Sequence, residues 1–500
     1  MWVALISLDL GSSGARASVF REDGRLIGDA RHAYTTHYPV QGWAQQDAQR
    51  WYDASIDVLT RVRHQLPKSC QVEGLALTGQ CPTFVPVDAQ FTPLGPALTY
   101  QDNRAVAEAA DLERRFGVAG VRARSGNSPQ AFFILPKVMW LAAHQPALYD
   151  QLAKVLQPSD YLAWRLTGEL ATSTAHACGT LAFDIGRRLW NADWLSQLDL
   201  RADLFPDRVL DPWSIVGQLT DDVAAVTGLP RRLPVVIGAP DSQSNCLGVG
   251  AIEPGMLSNM SGSSTCLNMS VDLPVADQGV ANYADVLPDK WNAEVGLNTT
   301  GAALSWATRV LLPDVTSSER YETVERLASR SRPGANGVTF MPYLTGGERD
   351  SQAVKGGFHN LSMANGVSDM LRAVLEGVAF AERERIEVLV DSGCEVSQVI
   401  ISGGGAKFDM WNQMKADVTG WPVQAIAGVD AAELGAAMLA GIGVGVFGDA
   451  ADAVEACRPA VSTFMPNKAR SLEYERRYRE FVELERNLAA SCSVTTSAGD

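Results

Sequence analysis

The chain has 500 residues, 46% hydrophobic and 20% charged, with 57 acidic against 42 basic side chains and a formal net charge of −15. That length exceeds what one hydrophobic core sustains, so two or more domains are expected. The acidic balance argues against a nucleic-acid backbone or an anionic membrane as partner, but leaves open a phosphorylated small molecule held by backbone amides and a metal ion.

The chain begins with an apolar strand, Val3 to Asp9, which has no basic leader and is interrupted by an acid, so it reads as a strand and not a signal peptide. The turn Gly11-Ser12-Ser13-Gly14 leads into a second strand, Ala15 to Phe20, and Asp23-Gly24 marks a further turn. Residues Trp43 to Leu66 have helical spacing, with Trp51, Ile56, Leu59 and Val62 on an apolar face. Val72 to Leu77 is a strand running into Thr78-Gly79-Gln80, and Asp102 to Phe116 and Pro136 to Ala143 are helical. Ser159-Asp160 is the expected cap of a helix over Tyr161 to Leu166 that ends at Gly168. The pattern then restarts: strand Val235 to Gly238, a small-residue segment Asn245 to Val249, and a hairpin of Met256 to Met260 and Thr265 to Met269 joined by Ser261-Gly262-Ser263-Ser264. This echo of the opening hairpin suggests two related lobes that meet close to Asp241 and Gly250. Val399 to Ser402 ends in Gly403-Gly404-Gly405, a helix starts near Asp409, and Ala431 to Ala440 is an alanine-rich helix. Residues 1–245 are taken as one domain, 246–488 as the second, and 489–500 as a disordered tail. The eight cysteines, at 70, 81, 178, 246, 266, 394, 457 and 492, include no C-x-x-C pair and accompany only six histidines, so a zinc site is not expected. Dispersed cysteines of this kind, and an apolar run at Leu434 to Phe447 too short to span a membrane, predict a cytoplasmic protein.

The chemistry gathers at strand ends. Asp241 stands at the exit of Val235-Val236-Ile237-Gly238-Ala239-Pro240, where open α/β sheets bind ligands. A carboxylate there can take a proton from a hydroxyl. Three glycine/serine turns, at Gly11 to Gly14, Gly262 to Ser264 and Gly403 to Gly405, can bring backbone amides against phosphate oxygens, although each alone could be a plain tight turn. No Walker A motif, dinucleotide glycine fingerprint or G-x-S-x-G elbow is present. Asp102 and Arg104 read as a structural ion pair, Cys81 as packing, and Trp140, Trp164, Trp190 and Trp306 as core.

The ordered segments resemble the FGGY family of carbohydrate kinases. Asp9-Leu10-Gly11-Ser12-Ser13 is similar to its first phosphate motif, Tyr100-Gln101-Asp102-Asn103-Arg104 to W-x-D-x-R, and Pro136-Lys137-Val138-Met139-Trp140-Leu141 to P-K-x-x-W-L. Asp160-Tyr161-Leu162 with Leu166-Thr167-Gly168-Glu169, Gly238-Ala239-Pro240-Asp241, Pro342-Tyr343-Leu344 with Gly347-Glu348-Arg349, and Leu371 to Gly377 follow in the family's order. The resemblance implies two ribonuclease-H-like (actin/hexokinase-type) α/β domains with a mixed sheet in each and the active site in the interdomain cleft. It implies ATP and Mg2+, with Asp241 as general base and Asp9 and Asp241 holding the metal–phosphate assembly. It assigns Ser12, Ser13, Gly262 and Ser263 to the phosphates, and Gly301, Gly404, Gly405 and Asp409 to the rest of the nucleotide.

On the sugar side Gln80, Cys81, Pro82, Asp241 and Ser242 are the implied contacts. Here the chain departs from the family: Cys81-Pro82 stand where xylulokinases carry Met-His and glycerol kinases Arg-Glu, and Ser242 replaces Asn or Gln. The segment Tyr38 to Asp47 resembles xylulokinase-like members most, so a pentulose such as xylulose is the favoured acceptor. Another polyol, a sugar acid or a signalling sugar is the alternative within enzymes. A non-transferring ATP-binding module of the actin or chaperone type is the alternative of another class. Family members often dimerise, so a homodimer is a further expectation.

Overall fold

The two predicted hairpins are present, and each begins the sheet of a separate unit. The computed structural model describes residues 2–67, 69–316, 319–346 and 354–496, with side chains through 491. One unit comprises Met1–Ile252, Ser270–Ala293 and Asp430–Pro459; the other comprises Glu253–Met269, Glu294–Val429 and Ala460–Asp500. Gly347-Glu348-Arg349 lies outside the described residues.

The first unit's main sheet has six strands: β1 (Trp2–Gly11), β2 (Gly14–Arg21), β3 (Leu26–Ala33), β4 (Cys70–Gly79), β5 (Ile215–Gln218) and β6 (Pro234–Pro240), in the spatial order β5-β6-β4-β1-β2-β3. It is a mixed sheet. The strands β1, β4 and β6 run parallel, while β2, β3 and β5 are antiparallel to their neighbours. Parallel strands buried on both faces read as continuous apolar runs, as Val3 to Ile6, Leu75 to Leu77 and Val235 to Ile237 do. Helix Ala48–Gln65 contributes Trp51, Val58, Leu59 and Val62 to this core, each fully buried, at about 1.5–3 kcal/mol per side chain.

Helix starts differ from those expected. The Trp43 helix begins at Ala48, because the Asp47 carboxylate accepts from Gln49 N and Gln45–Gln46 pair as a short strand with Ala97–Leu98. Asp102 precedes the helix Val106–Ser125 and is not in it. The helix Pro158–Thr167 is capped by Gln157, whose backbone N–H donates to Asp160 at 3.0 Å; Asp160 is the third helical residue, not the cap. The small-residue segment Asn245 to Val249 falls mostly in the helix Asp241–Gly248.

In the second unit, β7 (Met256–Ser261), β8 (Thr265–Val271), β9 (Gln398–Gly403), β10 (Val423–Ala425) and β11 (Ser462–Phe464) lie in the order β8-β7-β9-β10-β11. As with β1, the first strand of the hairpin pairs parallel with a later strand, here β9. Helices Gly301–Leu311, Val367–Asp391 and Asp409–Thr419 supply the core around Leu304, Val374, Leu375, Val378 and Trp411. The last helix, Lys468–Thr496, continues past Ala489 into the stretch expected to be disordered. Residues 497–500 lie outside the described ones.

Candidate active site

Register brings the carboxyl ends of three parallel strands into one row. Gly79 is opposite Leu10 on one side and Pro240 on the other. The residues leaving that row are Gln80 and Asp241, and Gly11 leads from Leu10 into the first hairpin turn. Gly79 must be glycine, since a Cβ there would lie 2.5 Å from the Leu10 carbonyl oxygen. Gly238, at φ 72°, lets β6 bend before the Asp241–Gly248 helix starts. Asp241 is the first residue of that helix, and its Oδ1 accepts the Ser242 N–H at 2.8 Å. A side chain held at a strand-to-helix junction is aimed by backbone rather than by loop chance.

The first hairpin turn is tied down through its carbonyl groups. Tyr34 donates to Gly11 O at 2.6 Å, Gln46 Nε2 donates to Ser12 O at 2.7 Å, and Tyr34 N donates to Ser13 O at 3.2 Å. Ser12 is partly exposed and Ser13 exposed.

Behind the turn lies a concentration of acid. Asp9 on β1 is directly opposite Arg16 on β2. Arg16 Nη1 is 2.7 Å from Asp430 Oδ2 and 2.6 Å from Glu433 Oε1. The other Glu433 oxygen accepts from Ser18. Burial pushes the Asp9 carboxyl well above its usual range, and Glu433, Asp241 and Asp430 push it further while Arg16 opposes them. Burial, then Asp430, pushes Glu433 up to about 8. Asp9 Oδ1 is buried with no hydrogen-bond partner. Among the described residues no three His, Cys, Asp or Glu side chains are grouped to enclose a metal ion by themselves. The donors do fit a hard cation that also takes oxygens from phosphates and water: an orphaned carboxylate oxygen in an acidic setting that Arg16 only partly offsets.

Asp430 and Glu433 arrive on the helix Ala431–Gly443, which packs on the Asp241–Gly248 helix. Glycines make that crossing possible: a Cβ on Gly248 would overlap the Ala431 carbonyl, and one on Gly435 the Ser244 carbonyl.

The loop after Gln80 turns partly inward. Cys81 Sγ donates to Gln157 Oε1 at 3.1 Å, and Gln157 Nε2 donates to His176 O at 2.5 Å. Pro82 is buried, and Thr83 Oγ1 is buried without a partner. Asp102 and Arg104 form the expected ion pair, 2.8 Å apart with Arg104 only 3% exposed; the Arg104 guanidinium lies 3.7 Å from the Trp43 ring centre. Lys137 donates to the Thr99 and Phe132 carbonyls at 2.7 and 2.8 Å, and burial lowers its ammonium to about 7. These residues support the wall of the unit.

The second unit gathers its own group of turns. Gly262 N donates to Ser264 O within the hairpin tip, while Gly301 N donates to Gly262 O and Ala302 N to Ser263 O. A Cβ on Gly301 would overlap the Gly262 carbonyl, and one on Gly405 the Ser261 hydroxyl. Gly301 is thus packed against Gly262 and Ser263, and Gly405 against Ser261, while Gly404 faces the Tyr321 hydroxyl. Asp409 is exposed at the start of the Asp409–Thr419 helix.

Of the residues singled out from the sequence, Asp9, Ser12, Ser13, Gln80 and Asp241 share one edge of the first unit. The glycine and serine positions of the nucleotide set share one region of the second. Arg16, Asp430 and Glu433 carry no role in the sequence reading, and Gln46 enters it only within the Tyr38 to Asp47 segment. Only Glu433 carried a signal, as a lone acid in an alanine helix.

Family models for the FGGY family of carbohydrate kinases match the chain, the N-terminal domain over residues 4–248 and the C-terminal domain over 257–444. Xylulose kinase of Escherichia coli (strain K12) is 31% identical over 445 residues, covering 87% of this chain and 89% of that protein. Glycerol kinase of Gloeobacter violaceus is 30% identical over 472 residues, covering 92% of each. The crystal structure of xylulose kinase from Rhodospirillum rubrum superposes with a TM-score of 0.89 at 27% identity, covering 98% of this chain and 100% of that one. The two α/β units with mixed sheets, the ordered motifs and these matches agree: the chain belongs to the FGGY family of carbohydrate kinases.

Proposed function

We propose that this protein transfers the γ-phosphoryl group of ATP to a hydroxyl of a pentulose of the xylulose type, with Asp241 as general base. The observation that carries the reading is the row Leu10, Gly79 and Pro240, which sets Asp241, Gln80 and the first hairpin turn along one sheet edge. Asp241 takes the hydroxyl proton, the oxygen forms its bond to the γ-phosphorus, and the bond to the bridging oxygen of ADP breaks. Ser12 and Ser13 receive phosphate oxygens in the first unit. Gly262, Ser263, Gly301, Gly404, Gly405 and Asp409 form the nucleotide side in the second. Asp9 and Asp241 would hold Mg2+, which when bound neutralises phosphate charge. Cys81, Pro82 and Ser242 border the sugar.

The xylulose assignment draws on the xylulose kinases among the relatives. The 30% identity to a glycerol kinase supports a polyol as the second reading. A coupled ADP-release assay over ketoses, polyols and sugar acids decides between them, and acceptor-independent turnover would favour a non-transferring ATPase. Asp241→Asn is expected to keep the fold and lower kcat by about 10²–10⁴-fold, the usual share of general-base catalysis. Turnover near the unaltered rate refutes the base assignment.

A further inference from the structure

Gln80 is 3% exposed, and its Oε1 is buried without a hydrogen-bond partner. The two ends of a side-chain amide are ordinarily interchangeable to the eye. Here the neighbours remove that ambiguity. Trp51 Nε1 carries a hydrogen and cannot accept, and it lies 3.0 Å from Gln46 Oε1. At the other end Gln46 Nε2 lies 2.7 Å from the Ser12 carbonyl oxygen, which cannot donate. Both contacts require the same orientation of the Gln46 amide. Gln80 meets Gln46 Oε1 at 2.8 Å, and only its Nε2 can donate there. The atom of Gln80 left over is therefore a carbonyl oxygen. Its backbone is pinned as well, since Gln80 N donates to Leu10 O at 2.9 Å.

A buried acceptor with no donor calls for one from outside the chain. Gln80 leaves β4 in the same row in which Asp241 follows β6. We infer that Gln80 Oε1 accepts a hydrogen bond from one hydroxyl of the acceptor sugar and selects for a hydroxyl at that carbon. This inference rests on the sugar-kinase reading above. Gln46 is then a positioning residue: one end of its amide orients Gln80, and the other holds the Ser12 carbonyl of the phosphate turn.

The test is a kinetic cycle on the full-length enzyme. Xylulose and each monodeoxy-xylulose that keeps the phosphorylated hydroxyl are assayed with the unaltered protein, Gln80→Met and Gln80→Glu. Met keeps the shape of the side chain but has no carbonyl, and Glu, neutral where it is buried, keeps a carbonyl oxygen while its O–H donates to Gln46 Oε1. With the unaltered protein, one analogue should lose about tenfold in kcat/KM, the size of a net hydrogen bond. Gln80→Met should lose about the same with xylulose and treat that analogue as xylulose's equal, with KM for ATP within about twofold. Gln80→Glu should keep the discrimination. If every analogue keeps its ratio to xylulose in Gln80→Met, or if the unaltered protein discriminates against none, the Gln80 contact is a water or nothing and the inference falls. Should Gln80→Met fail to fold, loss of discrimination in Gln80→Glu also overturns it. Failure of the unaltered protein to phosphorylate xylulose refutes only the substrate assignment; the same cycle is then run on the best acceptor of the panel.

Discussion

The Glu382–Lys415 pair gives a prediction whose size follows from burial. Glu382 on the Val367–Asp391 helix and Lys415 on the Asp409–Thr419 helix lie 2.8 Å apart, each with a side chain 2% exposed. Thr265, which follows the second hairpin turn, approaches the same carboxylate at 3.4 Å, and the Lys415 ammonium sits 4.5 Å from the Trp411 ring centre. Desolvating two charges costs most of what their attraction returns, but leaving one charge alone costs about 3–5 kcal/mol. Glu382→Leu strands the ammonium, and the cation–π contact offsets only about 0.5–2 kcal/mol of that. That leaves about 1–4.5 kcal/mol, and for a unit of about 200 residues, with 2–4 °C per kcal/mol, the thermal midpoint should fall by about 2–18 °C. Glu382→Leu with Lys415→Leu removes both charges and fills their space, and should match the unaltered protein or exceed it by up to about 4 kcal/mol. Scanning calorimetry on nucleotide-free protein reads both variants. A double variant as unstable as the single one, or a single variant with no loss, would refute the desolvation reasoning.

Two further outcomes are expected. Gly301→Ala drives a methyl group into the Gly262 carbonyl, an overpacking worth about 1–3 kcal/mol; KM for ATP should rise about tenfold while KM for the sugar holds, and an unchanged ATP dependence removes Gly301 from the nucleotide side. For Glu433, the folded carboxyl is held up to about 8, so from about pH 4.5 to 8 the folded chain keeps a proton the unfolded chain has released. Its stabilising contribution is full below that window and declines as pH rises through it. Glu433→Gln should flatten the fall in thermal midpoint between pH 5 and 8, and parallel curves for the two proteins would refute the assignment.

What could be read from the chain alone was local. The strand ends at Asp9 and Asp241 and the hairpin tips at Ser12 and Gly262 announce themselves through adjacent residues, apolar runs breaking into glycine and serine. Helix starts were misjudged where a cap competed with an apolar period: Asp47 starts its helix after Trp43, and Asp160 serves the Gln157 amide from inside the first turn. The acidic surroundings of Asp9 could not be read, because Arg16 meets Asp430 across 414 residues. Gln46 was hidden for a different reason. Its meaning lies in which atom faces Trp51, and spacing carries no record of amide orientation. The grouping of Asp430–Pro459 with the first unit likewise depends on glycine contacts between distant helices.

The Gly248–Gly435 crossing has a consequence for synthesis. The helix that begins at Asp241 finds its partner only after residue 443 has been made, roughly 10–40 s later at 5–20 residues per second. A ribosome-bound nascent chain stalled near residue 300 would already hold β1, β4 and β6, yet the helix carrying Asp241 would have nothing to lean on. Activity should therefore appear abruptly late in translation, and a separately expressed 1–252 fragment should recover it only when the remainder is supplied in trans.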